Sequence, residues 1–351
     1  MSDLDFVEFI NYSRRNRKIG PRRYLRDYSN PFEKYSPREF HSRYQFTPHD
    51  VKNILLPMLE PYLRKTTKRG LPFAPEIMIL ITLRYFATGC FQKLDGDVME
   101  ICQQSVSRII TKISTLFASK MKDFVKFPAS LDINQVKQKF HEVASFPGVI
   151  GCIDCTHIKI KNPGGTSSEV FRNRKGWFSI NVQAVTGPNL QFFDLVVRWP
   201  GSTHKSFIYN NSYLKQRLIT GQLQGFLLGD SSYSVSNVLL TPFLSPSTNS
   251  QEMYNKSHMK TRNTVEQAFG IWKRKFQCLQ VGMNIKLDTV VAVICACALL
   301  HNISISFDDS MLLASSDESI ENDSVNVPTH DNSNSTGFEV RESLVKRLFS
   351  S

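Results

Sequence analysis

The run GVIGCIDCTHIKI, Gly148 to Ile160, sets one carboxylate, Asp154, inside an apolar, β-branched stretch. An ionised carboxylate on a buried sheet costs several kcal/mol or neutralises, so it persists where a cation or a metal offsets that cost. A second apolar run, GFLLGDSSY, ends at Asp230. Strand ends of this kind are where open α/β sheets place their ligand sites. A third acid, Glu266, lies in TRNTVEQAFGIWKRKF. Helical spacing gives that segment an apolar stripe of Val265, Phe269, Trp272 and Phe276, with Arg262, Glu266 and Lys273 on the adjoining face. This face reads either as a surface salt-bridge cluster or as a metal ligand bordered by phosphate-binding residues. The spacing of Cys152 and Cys155 also suggests metal or redox chemistry. In a strand, however, an odd separation sends the two thiols to opposite faces, and no second C-x-x-C lies at zinc-finger spacing. They read as small core residues.

The elements that must hold these residues follow from periodicity. From Pro147, GVIGCIDCTHIKI, FSINVQAVT and LQFFDLVVRW are strand-like, with a turn at Thr186 to Asn189. A helical stretch from about His204 to Ile219, the GFLLGD strand and a helix from Arg262 to Phe276 complete an α/β pattern with a mixed sheet. The segment Thr289 to Leu300 is apolar all round and rich in alanine, a buried packing helix. Its longest apolar run, Val290 to Leu300, is too short for a membrane span, which needs about 20 residues.

Upstream, residues 46–125 read as helical. KLDGDVMEICQQSVSRIITKISTLF has the shape of a helix-turn-helix, with a short helix near Asp97 to Ile101 and a longer one from about Ser105. Ser105, Ser107 and Arg108 at its start are candidate DNA contacts, and an ordinary helical bundle is the alternative. Residues 1–45 form a basic arm carrying RRNRK and PRRYLR, suited to nuclear import or phosphate contact, or simply solvated. Residues 307–351 are acidic and Ser/Asp/Asn-rich, expected to be largely disordered with a terminal helix at RESLVKRLF.

The 351 residues carry a net charge of +12. From Asp308 onward nine acids face three bases, so the tail is −6 and the remainder +18. Such an excess favours an acidic partner, nucleic acid first and an anionic membrane surface second. Seven scattered cysteines read as free thiols in a reducing compartment. The start, MSDLDFVEFINYSRR, lacks the basic and apolar regions of a secretory signal.

Acids on a first strand, a later strand end and a later helix match the ribonuclease-H-like fold of polynucleotidyl transferases. Within that fold the sequence resembles the PIF/Harbinger transposases and the nucleases derived from them, a DDE superfamily. The resemblance spans roughly Phe46 to Ile303. It rests on GVIGCIDCTHIKI, RNRKGWFSINVQAV, WPGSTHKS, LLGDSSYSVSNVLLTPF, YNKSHMKTRNTVEQAFGIWKRKFQCL and CALLHNIS. The family's two aspartate motifs fall on Asp154 and Asp230 and its glutamate on Glu266, with 35 residues between the last two. Three positions depart from the pattern. Cys155 replaces a glycine, Lys205 replaces an acid after the histidine of WPGSTHKS, and Lys275 stands where arginine is common.

The resemblance implies a ribonuclease-H-like catalytic domain over 147–306, preceded by the all-helical, helix-turn-helix-like domain. It implies divalent-metal-dependent DNA cleavage, magnesium first and manganese as the alternative. Asp154 would bridge two ions, with Asp230 and Glu266 holding one each. Water as the nucleophile gives an endonuclease. A freed 3′-hydroxyl gives strand transfer, the transposase reading, and a non-catalytic DNA-binding protein is the third possibility. Arg174, Lys175, Arg262 and Lys273 are candidate phosphate contacts. His258 is a candidate neighbour of the site, whereas His301 reads as structural. The implied setting is the nucleus, alone or together with the cytoplasm, with DNA and a Myb-like DNA-binding protein as partners and no membrane.

Overall fold

The computed structural model describes residues 30–64, 73–90, 101–129, 131–307 and 335–348. The basic arm motifs, residues 97–100 of the expected short helix and the acidic stretch 308–334 lie outside them.

Five strands form one mixed sheet in the order β3-β2-β1-β4-β5. They are β1 (Val149–Lys159), β2 (Ser179–Thr186), β3 (Phe192–Pro200), β4 (Phe226–Leu228) and β5 (Leu239–Leu240). β1 pairs antiparallel with β2, placing Asp154 opposite Ala184, and parallel with β4. β2 and β3 are antiparallel, β4 and β5 parallel. The expected mixed sheet is therefore present, and its order is compatible with a ribonuclease-H-like domain. The two-residue β5 has no counterpart among the expected strands.

β1 is buried on both faces from Val149 to Ile153 and half-exposed from Asp154 to His157. Its first half is thus a continuous apolar run covered on both sides. Asp154 stands where the strand emerges, so its carboxylate escapes the full cost of burial.

The described residues before β1 are helical. Proline at N1 and Gly89 at φ 61° bound α1 (Pro75–Thr88). A Cβ on Gly89 would also meet Val281 Cγ2 at 2.3 Å, so both conformation and space require glycine there. α2 (Gln103–Ser119) buries Val106, Ile109, Ile110, Ile113 and Phe117 and exposes Gln103, Gln104, Arg108 and Lys112. α3 (Ile133–Ala144) leads into β1.

The expected single helix over His204 to Ile219 is two, α4 (Lys205–Asn210) and α5 (Tyr213–Ile219). Asn211 ends the first segment and Ser212 caps the second, its Oγ accepting from Lys215 N at 3.2 Å. α6 runs from Asn249 to Lys275, much longer than the expected Arg262 to Phe276. Thr248 caps its start, and its polar first half packs Tyr254 and His258 inward. The predicted stripe is buried, with Trp272 fully enclosed and 5.2 Å from Phe192. Trp272→Ala would cost about 3–5 kcal/mol.

α7 (Leu287–Ser306) is the expected apolar packing helix. Among the described residues it alone is long and apolar enough to cross a bilayer, and most of it is buried against α2 and β3. Near its end Asn302 accepts from Phe192 N (2.8 Å) and donates to Phe192 O (2.7 Å), while His301 Nε2 meets Leu190 O at 2.9 Å. These contacts account for the HN pair of CALLHNIS as a clamp on the start of β3. α8 (Ser335–Leu348) lies against α6 and β5, with Arg341 Nη1 donating to Thr241 O and Pro242 O. Helices and sheet share one continuous apolar core from Phe40 to Val345.

Candidate active site

Asp154 comes from the middle of β1, Asp230 from just beyond β4, Glu266 from the third quarter of α6. The sheet pairing of β1 with β4 sets the two aspartates side by side. α6 covers the same face of β1 as Asp154, because Cys152, two residues earlier, donates its thiol proton to Thr261 O on α6 at 3.3 Å. Cys155 points to the opposite face, with its sulfur 3.6 Å from Tyr233 Oη. The strand-parity argument against a cysteine pair thus holds. Burial pushes the Cys152 thiol up to about 12, a proton-retaining core group.

Two cations link the three carboxylates. Lys205, the first residue of α4, donates to Asp154 Oδ1 at 3.1 Å and to Asp230 Oδ2. Arg262 donates from Nη1 to Asp154 Oδ2 at 3.0 Å and from Nη2 to Glu266 Oε1 at 2.6 Å. Asp154 is therefore the shared acid, one oxygen turned to each cation. Its Oδ1 also accepts from Cys155 N at 2.7 Å, and Asp230 accepts from Ser232 N at 3.1 Å. All five side chains are mostly buried, between 13% and 27% exposed. Burial alone would lower the Lys205 and Arg262 pKa values, but the adjacent carboxylates outweigh it and hold both groups charged.

This donor set suits a hard cation in pairs. Asp154 and Asp230 close on one ammonium nitrogen, and Asp154 and Glu266 on one guanidinium, so each pair spans a single positive group. Among the described residues no three His, Cys, Asp or Glu side chains cluster tightly enough to surround one ion.

The other sequence candidates divide. Arg262 belongs to the carboxylate cluster rather than to an open surface. Arg174 and Lys175 are exposed in the turn before β2. Arg174 is close enough to His204, the cap of α4, to add to burial in lowering its pKa. Lys273 Nζ donates to His157 O at 3.2 Å, beside the exit of β1. His258 lies one helical turn before Arg262, but its ring turns into the core between Phe146 and Tyr254, with Nε2 at 3.1 Å from Leu240 O. Burial lowers its pKa to about 4, so it is a neutral packing group near the site. Ser105 engages the Cys102 sulfur at 3.1 Å, while Ser107 and Arg108 line a surface groove. Lys205 was visible in the sequence only as a departure in a loop. Nothing local ties it to acids 51 residues before and 25 after it.

Known proteins resemble this chain over the same region. Residues 153–302 match the family model described as DDE superfamily endonuclease, a span holding all three acids and both cations. The chain is 32% identical over 269 residues to the rat (Rattus norvegicus) protein named "Putative nuclease HARBI1", covering 75% of this chain and 76% of that one. The Homo sapiens protein of the same name is 31% identical over the same shares. An Arabidopsis thaliana "Protein ALP1-like" is 26% identical, covering 69% and 64%. No solved structure matches the chain. The order of the acids, the mixed sheet that carries them and these relatives together place the chain in the Harbinger-derived nuclease family of DDE superfamily endonucleases.

Proposed function

We propose that this protein cleaves the phosphodiester backbone of DNA in a divalent-metal-dependent reaction at Asp154, Asp230 and Glu266. The observation that carries the reading is the sharing of Asp154 between two cation positions, one completed by Asp230 and the other by Glu266. Asp154 would bridge, and Asp230 and Glu266 would hold one ion each, magnesium first and manganese as the alternative. When bound, such a pair supplies the positive charge that stabilises the attacking and leaving oxygens of an in-line displacement. Lys205 and Arg262, once released from the carboxylates, would hold the non-bridging phosphate oxygens. Cys155 N keeps the Asp154 carboxylate oriented. Water as nucleophile makes the protein an endonuclease, and a 3′-hydroxyl makes it a strand-transfer enzyme. The excess charge of +12 suits DNA as partner and the nucleus as its place of work, and a Myb-like protein would share site recognition.

One observation favours a non-catalytic reading. Lys205 and Arg262 already offset two of the three carboxylate charges, as metal would, so the same cluster serves as a structural ion-pair network. The two readings part in one experiment: Mg²⁺- or Mn²⁺-dependent DNA cleavage by the wild type beside Asp154→Asn. Cleavage by the wild type alone supports the nuclease. Equal activity in both, or none in either, supports the scaffold.

A further inference from the structure

A groove of about 750 Å³ lies where three separate segments meet: the outer face of α2, the exit of β1 and the entrance to α7. Each segment contributes cations. Arg108 and Lys112 come from α2, Lys161 from just beyond β1, and Lys286 from the residue that precedes α7. All four are exposed, and among the described residues none forms an ion pair. Asp288, the acid in the first turn of α7, is exposed but does not line the groove.

The walls are fixed to one another. Lys161 N donates to Met283 O at 3.0 Å and Met283 N to Lys159 O at 3.1 Å, which ties the β1 exit to the segment leading into α7. Thr111 of α2 and Thr289 of α7 meet through their hydroxyls at 3.5 Å across the floor. A second, more open hollow of about 400 Å³, lined by Gln103, Gln104, Ser107 and Arg108, continues from it along the start of α2. Unpaired like charges held together at fixed spacing repel one another, and a repeating anion offsets that repulsion.

We propose that this groove is a duplex-DNA backbone clamp, in which Arg108, Lys112, Lys161 and Lys286 hold successive phosphates while Gln103 and Gln104 line its open end. The inference rests on the reading of DNA as substrate, but not on cleavage. Lys161 follows Asp154 by seven residues along one strand and its continuation, a distance of about 23 Å at most. At 3.4 Å per base pair, one duplex lying across both positions would span at most about seven pairs between clamp and carboxylates. The arrangement also gives α2 a role that does not require a helix-turn-helix. Its exposed face supplies one wall of a composite site, and its apolar face is anchored against α7.

The test is a salt titration of binding to a duplex of about 20 base pairs by fluorescence anisotropy, using the full chain. Each phosphate contact contributes about 0.9 to the log–log slope. The combined Arg108→Ala, Lys112→Ala, Lys161→Ala and Lys286→Ala variant should therefore lose about 3 to 4 from the slope and keep its melting temperature. The titration is run without divalent metal, where no metal-dependent cleavage occurs, so a failure of the cleavage reading and a failure of the clamp are separate results. An unchanged slope in a folded variant overturns the clamp. Lysine acetylation of the wild type, read by mass spectrometry with and without duplex, decides the case if the variant does not fold. Lys112, Lys161 and Lys286 should be shielded by DNA while the exposed Lys52 and Lys139 stay reactive. Shielding already complete in the free protein, or produced by an acidic peptide and not by the duplex, also overturns it.

Discussion

Lys205 and Arg262 are mostly buried and each spans two carboxylates. Arg108, Lys112, Lys161 and Lys286 are the same chemical groups, exposed and without acidic partners among the described residues. The difference lies in what each set is built to meet. The inner cations are matched to charges the fold itself supplies, so they contribute to holding β1, α4 and α6 together. The outer four are matched to nothing in the described chain, so their cost to the fold is small and they are free for a partner. Charge alone does not distinguish cations engaged by the fold's own acids from cations left open to a partner; burial and pairing do.

That comparison can be pressed from its strongest consequence downward. Asp154→Asn removes the acid both inner cations share. If cleavage occurs, its rate should fall by about 1000-fold or more, corresponding to roughly 4 kcal/mol of transition-state stabilisation. A rate within tenfold of wild type in a Mn²⁺ assay would sever the link between the shared carboxylate and activity.

Acid probes a third fate of a basic group, burial without charge. His258 and His301 each have a pKa lowered by burial to about 4, against 6.5 in an unfolded chain. Between those values the unfolded state binds more protons, so their contribution is full above pH 6.5 and is lost as pH falls toward 4. Asp194 runs the other way. Burial raises it from 3.8 to about 6, so its contribution is full below 3.8 and is lost as pH rises through 6. Two imidazoles outweigh one carboxyl, and denaturant midpoints should show a net loss of about 3 kcal/mol between pH 7 and pH 4.

Lys205→Met leaves Asp154 and Asp230 facing each other without the ammonium between them. Without divalent metal it should cost about 2 kcal/mol of stability, and Mg²⁺ should restore more of that loss than it adds to the wild type. Equal Mg²⁺ shifts in both proteins by thermal melting would show that Lys205 and metal do not compete for the same carboxylates. At the small end, Lys112→Ala or Lys161→Ala should change stability by less than about 0.5 kcal/mol. A larger loss would mean that the outer cations have partners within the fold.

Much of the centre was legible in the sequence because β1 obeys simple parity. Asp154 and Cys152 share a face, Cys155 takes the other, and the apolar flanks mark the strand as covered. Asp230 was readable as the end of an apolar run, and Glu266 as a polar position beside a helical stripe. What escaped was set by distant partners. The Lys205 bridge depends on how α4 docks on β2 beside the two aspartates, which no local pattern encodes. The first half of α6 carries weak apolar periodicity and is helical because Tyr254 and His258 find a core against Phe146. The break between α4 and α5 lies at Asn211, which ends the first helix, and Ser212, whose hydroxyl caps the second. The groove was half visible, as Ser107 and Arg108, but its other walls come from 160–163 and 284–290, brought beside them only by folding.

α8 bears on a different property. β5 is one of the two edge strands of the sheet, and Arg341 occupies the carbonyls of Thr241 and Pro242 just beyond it. Gly337 packs so closely that a Cβ would lie 2.6 Å from Ser236 Cα, and Leu344 and Val345 are buried. The helix therefore shields the β5 edge of the sheet from strands of other molecules. A chain cut before Ser335 would keep every residue of the carboxylate cluster, and its first defect would be self-association in solution.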